Sequence, residues 1–235
     1  LTGRRQRTKC GLDLSAWSSI FAGVPQGSVL GPLLFCISIS SLTALCPNTH
    51  LIKYADDVTL LHFFRNSRDD MLQKELDNIV SWSVREGFTL NFAKCSVTNF
   101  ITKRNITCSD IFGPNGEVIQ NKKHVKILGV TMSHDLRWNC HFETLINKAC
   151  KRIYVIRNLK RSGIEPQVLF CVYRSLIRSC LLYAYPCFCN ASSYLHESLY
   201  KVERRVFRMI FNKSSHEDDL QNACMKVCSS LFRCV

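Results

Sequence analysis

The sequence predicts an α+β chain, with a mixed strand-and-helix part over residues 1–132 and an all-helical part over residues 133–235. Three observations carry this reading. First, His50 to Tyr54 and Val58 to Phe63 are short β-rich runs on either side of Ala55-Asp56-Asp57, which is the pattern of a hairpin. Second, Leu72, Leu76, Ile79, Val80 and Val84 share one helical face between a capping signal at Ser67-x-x-Asp70 and a stop at Gly87. Third, the apolar residues beyond 140 recur at helical period only: Phe142, Leu145, Ala149, Ile153, Ile156 and Leu159 make up the first such run.

In chain order, Gly23, Pro25, Gly27, Gly31 and Pro32 form a loop, and Pro32 opens a buried helix over the apolar run Leu33 to Leu45. The acidic hairpin and the helix of Leu72 to Val84 follow. Thr89 to Ile101 and Val125 to Met132 read as strands, with a turn at Asn115-Gly116 between them. Beyond the helix that starts at Phe142, Pro166 opens another carrying Val168, Val172, Leu176 and Ile177. The last helix carries Leu195, Leu199, Val202, Val206, Met209 and Ile210 on one face and Lys201, Arg204, Arg205 and Arg208 on the other.

Composition narrows the function. Hydrophobic residues are 46% and charged residues 21%, ordinary globular usage that argues against a disordered chain. Lys plus Arg number 31 against 18 acids, a net charge of +13, which favours a polyanionic partner. The longest apolar stretch, Val29 to Leu45, is broken by Gly31, Pro32 and four hydroxyl residues, so it reads as a core helix and no membrane partner is expected. Arg4, Arg5, Arg7 and Lys9 precede no apolar leader segment, and the first Met is Met71, so the chain reads as a piece of a longer intracellular protein. The 14 cysteines read as reduced, buried thiols. Cys187, Cys189, Cys224 and Cys228, with His196 and His216, match no common zinc spacing.

The chemistry concentrates in two segments. Asp56 and Asp57 put adjacent carboxylates on a tight turn lifted by flanking strands, a mount for Mg2+, which takes oxygen ligands and shares them with phosphates. Viewed alone, an Asp-Asp turn is also an ordinary surface loop. Gly23 to Phe35 is a Gly/Pro loop running into an apolar helix, and such a loop lets backbone and the Gln26 side chain approach a nucleotide closely.

Taken together, these segments resemble the reverse transcriptases of non-LTR retrotransposons, the LINE-like group, nearest the jockey-like and RTE-like elements. Gly23-Val24-Pro25-Gln26-Gly27 resembles the family's nucleotide- and template-positioning motif, and Tyr54-Ala55-Asp56-Asp57 its metal-binding motif. Leu90-Asn91-x-x-Lys94-Cys95, Lys126-Ile127-Leu128-Gly129-Val130 and Leu136-x-Trp138-x-x-His141 resemble, in order, the next palm motif, the primer grip and the entry to the thumb. The resemblance implies a partial right-hand polymerase: a palm over 1–132 and a thumb-like region over 133–235. It implies template-directed DNA synthesis with two Mg2+ ions, Mn2+ being an alternative. The partners implied are an RNA template, a DNA primer and deoxynucleoside triphosphates, and the location is the nucleus or cytoplasm.

Carried over by position, Asp56 and Asp57 would bind metal, with Asp56 the firmer ligand, and Lys94 would act as general acid toward pyrophosphate. Gln26, Gly27 and Tyr54 would touch nucleotide or template, and Leu128, Gly129 and Val130 would position the primer. Arg4, Arg5, Lys201, Arg204, Arg205 and Arg208 would contact the nucleic-acid backbone. The family palm also uses an Asp upstream of the Gly/Pro loop. Asp13 is the only acid there, and Gly11-Leu12-Asp13-Leu14 does not match that motif. The isolated chain is therefore expected to be inactive or nearly so, the remaining acid and the fingers belonging to an N-terminal part of the same polyprotein. A non-catalytic nucleic-acid-binding remnant is the alternative. A different palm polymerase is disfavoured by Ala55, where RNA-copying enzymes more often carry Gly, and a purely structural helical protein explains neither motif order nor charge.

Overall fold

A computed structural model describes residues 3–20, 23–24, 27–65, 70–100 and 108–211. The chain divides into two compact bodies: Leu1–Cys95 with Lys103–Gln120, and Ser96–Thr102 with Asn121–Val235.

The first body opens with two nested hairpins that the sequence reading did not include. β1 (Arg4–Gln6) pairs antiparallel with β4 (Ser18–Ile20), and β2 (Lys9–Cys10) with β3 (Asp13–Leu14) inside them. These strands are two or three residues long and mostly exposed, too short to show an alternating pattern. Helix α1 (Gly31–Ser40) has Pro in its first turn, as its sequence requires, but ends five residues before Leu45. It is not the buried helix expected: only Gly31 and Ile39 are buried, and Leu33 and Ile37 are more than half exposed. A helix apolar all round carries no signal for which side packs, and here only the Phe35 and Ile39 side meets other elements.

The acidic hairpin forms as predicted. β5 (Thr49–Tyr54) pairs antiparallel with β6 (Asp57–His62), Tyr54 opposite Asp57. Helix α2 (Leu72–Glu86) ends at Gly87, whose φ of 74° needs a residue without Cβ. Ser67 of the expected cap lies outside the described residues, whereas Asp70 Oδ1 accepts the Leu72 N–H at 3.2 Å and does part of that work. Ile39, Leu42, Ile79 and Trp82 form the core, with Phe35, Leu51, Leu60, Phe88 and Leu90 around it. Side chains of α2 also hold the segment after α1. Asn78 donates to the Thr43 carbonyl, Trp82 Nε1 to the Ser41 hydroxyl, and the buried Glu75 carboxylate accepts the Leu45 and Cys46 N–H groups.

Two strand expectations need correction. Thr89 to Phe100 contains a short 3-10 turn, Phe92–Lys94, and a single bridge at Val97, with Ile101 outside the described residues. Among the described residues, the only pairing of this stretch is the Val97–Asn121 bridge, so its strand composition finds no ladder there. Val125 to Met132 is a hairpin, β7 (His124–Ile127) with β8 (Val130–Ser133), turning at Leu128-Gly129. Both turn residues have positive φ, 47° and 88°, which matches the right-handed twist of the flanking strands. The turn at Asn115-Gly116 is present, closing its own small loop at the Phe112–Val118 bridge.

In the second body this hairpin packs with helices: the Thr131 N–H donates to His141 Nδ1 at 3.3 Å, and the Tyr183 hydroxyl to the Leu128 carbonyl at 2.6 Å. Helix α3 (Asn139–Arg161) buries Phe142, Leu145, Ala149, Ile153 and Ile156 as the spacing predicts, and Leu159 partly. Helix α4 (Pro166–Tyr173) begins at its proline, but Val168 and Leu176 are exposed, and the buried residues are Leu169, Phe170, Tyr173, Ile177 and Leu181. Their spacing of four from 169 to 181 drifts around an α-helix, and a π-helical turn at Arg174–Arg178 absorbs the drift before α5 (Ser179–Leu181). The short α6 (Tyr185–Phe188) puts Phe188 in the core. Helix α7 (Ser193–Phe211) buries Leu195, Leu199, Val202, Val206 and Ile210, with Met209 partly buried. Cys224, Cys228 and His216 lie outside the described residues. The described cysteines are free and none is buried, which corrects the expectation of core thiols: the core positions go to larger aliphatic and aromatic side chains.

His141 is fully buried between Trp138 and Phe188. Since Nδ1 accepts from Thr131, Nε2 carries the proton, and it has no hydrogen-bond partner among the described residues. Burial first, and the Lys148 charge second, hold this imidazole below the usual histidine pKa. The unfolded chain then binds the proton more readily, so stability is full above the unfolded value of about 6.5 and falls as pH drops below it toward the folded value. Urea unfolding at pH 7.5 and 5.5 should show this loss, and His141→Gln, which keeps an acceptor without titrating, should flatten it. An equal pH dependence in both proteins would exclude His141 as the source.

Candidate functional site

The acidic turn is built by the hairpin. Its two-residue connection places Ala55 at a φ of 49°, where a Cβ costs about 1–2 kcal/mol and glycine would sit without strain. Tyr54, Asp56 and Asp57 are all exposed, and Tyr54 and Asp57 face each other across the first rung of the ladder. The carboxylates of Asp56 and Asp57 make no hydrogen bond or ion pair with any described residue. Two adjacent hard oxygen donors without a competing cation suit a divalent ion such as Mg2+, which retains several waters. No third His, Cys, Asp or Glu joins them among the described residues.

The hairpin is anchored beside this turn by Lys53, whose ammonium donates to the Ile39 and Leu42 carbonyls at 2.9 and 2.7 Å. A cation on carbonyls at a helix C-terminus is favourable twice over, by hydrogen bonding and by the helix dipole. The Gly/Pro loop enters α1 at its other end, ten residues and about 15 Å along the axis. The structure therefore brings Tyr54, Asp56 and Asp57 together and ties them to the last turn of α1. Gly27, at a φ of 77° and exposed, lies in the loop that leads into the first turn of α1. Gln26 lies outside the described residues. Arg4 is half-buried and donates to the Gly23 carbonyl, so it braces the loop, while Arg5 is exposed. Lys94 sits exposed in the 3-10 turn, with no described partner for its ammonium.

The remaining expected residues belong to the second body. Leu128 and Gly129 form the β7–β8 turn, and Val130 starts β8. A Cβ on Gly129 would meet the Tyr183 ring at 3.1 Å, so the tyrosine packs directly on bare backbone. On α7, Lys201, Arg205 and Arg208 are exposed and line one shallow pocket with Arg204. Arg204 pairs with Glu197 at 2.7 Å and lies over the Tyr200 ring at 4.6 Å. Sequence reasoning missed Lys148, Arg152 and Tyr183, which line one pocket with Gly129. The spacing of Lys148 and Arg152, four apart on the helix of Phe142 to Leu159, was readable as a basic pair; their sharing a pocket with Gly129 was not.

A family profile described as reverse transcriptase (RNA-dependent DNA polymerase) matches residues 8–132. The chain is 28% identical over 182 residues to the RNA-directed DNA polymerase from mobile element jockey of Drosophila melanogaster, an alignment covering 72% of this chain and 19% of that protein. It is 27% identical over 205 residues to the probable RNA-directed DNA polymerase from transposon BS of the same species, covering 80% and 22%. With the probable RNA-directed DNA polymerase from transposon X-element it shares 31% over 147 residues, covering 60% and 16%. The chain thus spans about a fifth of the length of these relatives. No solved structure matches. Among the described residues, no helix is long and apolar enough to cross a membrane.

Proposed function

The chain belongs to the reverse transcriptase family, and from that premise we propose that it is the acidic-turn and thumb-like portion of an RNA-directed DNA polymerase. The observation that carries the reading is the exposed Tyr54-Ala55-Asp56-Asp57 turn, with two carboxylates free of partners among the described residues. In this reading residues 1–132 are palm and 133–235 thumb-like, copying an RNA template from a DNA primer with deoxynucleoside triphosphates. Asp56 and Asp57 would hold a divalent ion of the Mg2+ type. When bound, such ions neutralise charge on the attacking and leaving oxygens of an in-line displacement at phosphorus.

The residue roles in this reading are the family's, carried to this chain by position. The ladder pair Tyr54–Asp57 and the Lys53 anchor fix the carboxylates on a rigid strand end. Tyr54, exposed next to them, would flank the primer terminus. Lys94 would donate a proton to departing pyrophosphate. Gln26 and Gly27 would contact template or nucleotide from the far end of α1. Leu128, Gly129 and Val130 would position the primer, and Lys201, Arg204, Arg205 and Arg208, with Arg4 and Arg5, would meet backbone phosphates. Work takes place in the nucleus or cytoplasm.

With two carboxylates at the turn and no third ligand among the described residues, the polypeptide of 235 residues is expected to be inactive, or nearly so, by itself. A longer protein that supplies an upstream Asp should extend a DNA primer on an RNA template with Mg2+, while the isolated chain should not. Extension by the isolated chain would refute the incompleteness. Failure of the longer protein, with nucleic-acid binding retained, would favour the second reading, a non-catalytic binding remnant. That reading draws its support from the α7 cations, which need no metal to hold phosphate.

A further inference from the structure

The nested hairpins β1–β4 and β2–β3 form an arm on the first body. Every residue from Arg5 to Ser19 is exposed, so neither face of the arm is covered by a core. The pairing sorts its side chains. Arg5 stands opposite Ser19 and Lys9 opposite Leu14, and between those rungs Arg7 lies over the Trp17 ring at 4.6 Å. Residues 5, 7 and 9 alternate along one strand, so the three cations share a face with Trp17. Asp13, the one carboxylate of residues 3–20, pairs with Cys10 and belongs to the other face.

This face is charged, regular and unoccupied by protein. Among the described residues, Arg5 and Lys9 make no hydrogen bond or ion pair, and Arg7 meets only the indole. Successive cations stand about 6.8 Å apart, two residues of an antiparallel strand. That is the scale of one nucleotide on an extended strand, so a polyanion with a regular repeat can neutralise all three together. The indole adds a stacking platform, which an unpaired base can use and a base inside a duplex cannot. Arg7 takes one face of the ring, and the 58% exposure of Trp17 leaves surface for a base. The foot of the arm is tied to the Gly/Pro loop, because the half-buried Arg4 donates to the Gly23 carbonyl. A strand lying along the arm therefore leads toward the loop that the proposed function assigns to template or nucleotide.

We propose that Arg5, Arg7, Lys9 and Trp17 form a binding face for single-stranded nucleic acid, taking phosphates on the cations and a base on the indole. The inference deepens the template contact of the proposed function, on which it rests for the identity of the strand, and requires no catalysis.

The test is fluorescence anisotropy of a labelled, unstructured 20-nucleotide RNA with the full 235-residue chain, at NaCl from 50 to 300 mM, beside a 20-base-pair RNA–DNA hybrid. Arg5→Gln/Arg7→Gln/Lys9→Gln should weaken RNA binding at least about 10-fold at 100 mM and lower the salt slope by about 2, three contacts at about 0.7 each. Lys74→Gln/Arg85→Gln/Lys122→Gln, which removes three exposed cations elsewhere, should change RNA affinity less than about 3-fold. Trp17→Ala should weaken RNA binding about 5-fold or more and hybrid binding less than about 2-fold, since paired bases cannot reach the ring. Trp17→Phe keeps a ring and should keep the RNA affinity, while removing most of the quenching of tryptophan emission that RNA causes in the native chain. Equal losses in the two Gln triples, a Trp17→Ala loss shared by the hybrid, or no binding of the RNA by the native chain would each overturn the face. The charge-conserving Arg5→Lys/Arg7→Lys/Lys9→Arg should bind RNA as the native chain does, and a loss as large as that of the Gln triple would trace the effect to a damaged arm and overturn it too. If the face holds and the longer protein extends no primer, the catalytic reading fails and this one stands.

Discussion

Asp56→Asn in the longer polymerase should reduce primer extension on an RNA template by well over about 100-fold, with hybrid binding changed little. Loss of groups that merely support a metal ligand costs about 10–100-fold, and loss of a direct ligand exceeds that. The substitution preserves size and the turn while replacing a charged oxygen donor by a neutral amide. Asp57→Asn should cost less, because Asp56 lies in the turn itself whereas Asp57 is the first rung of β6 and its backbone is already engaged with Tyr54. Single-turnover extension across a Mg2+ titration is the measurement. Extension by Asp56→Asn at more than half the native rate would remove the acidic turn from the mechanism. Rescue at high Mn2+ would instead show that the defect lies in ion affinity.

Glu75→Leu should lower the stability of the first body by about 2–5 kcal/mol, a large part of the 5–15 kcal/mol typical of a domain. Glu75 is fully buried and its oxygens accept the Leu45 N–H at 3.1 Å and the Cys46 N–H at 2.5 Å. Removing the carboxylate leaves two part-buried donors unpaired, at about 1–3 kcal/mol each. Glu75→Gln keeps one acceptor oxygen and should lose about half as much. Burial alone would raise the pKa of this carboxyl and is the largest single influence. The bonds from Leu45, Cys46 and Thr49 together outweigh it and leave the pKa below the usual glutamate value. A depressed carboxyl stabilises the fold above its unfolded pKa, near 4.3, and that contribution is lost as pH falls through the folded value. Urea unfolding at pH 7 and pH 3.5 checks both points. If Glu75→Leu unfolds at the native midpoint at pH 7, the carboxylate is not what holds residues 41–46 to α2.

How much was legible depends on whether a signal is local. Short β-rich runs on both sides of Asp56 reveal β5 and β6 because strand propensity and a tight turn are both set by neighbouring residues. The same holds for α2, closed by Gly87, and for the buried faces of α3 and α7. The α4 face was misread because a π turn changes the period within the segment, and no residue type announces that. Thr89 to Ile101 has strand composition without a strand, since a strand needs a partner and composition does not supply one. Tyr54, Asp56 and Asp57 are exposed at the turn of the hairpin that the two β-rich runs predict. The 15 Å of α1 between the Lys53 anchor and the Gly/Pro loop was not visible in motif order.

By itself, the sequence determined the α+β class, the acidic hairpin, the helical second half, the basic surplus and the family, because composition, period and motif order are properties of residues close along the chain. Only the tertiary structure decided that Glu75 would hold residues 45 and 46, that Lys53 would cap α1, and that Tyr183 would support a turn 55 residues earlier. These contacts join groups whose separation along the chain leaves no periodic trace. They are selected by which buried donors and acceptors must be satisfied once the cores close, and that requirement does not exist until the chain has folded.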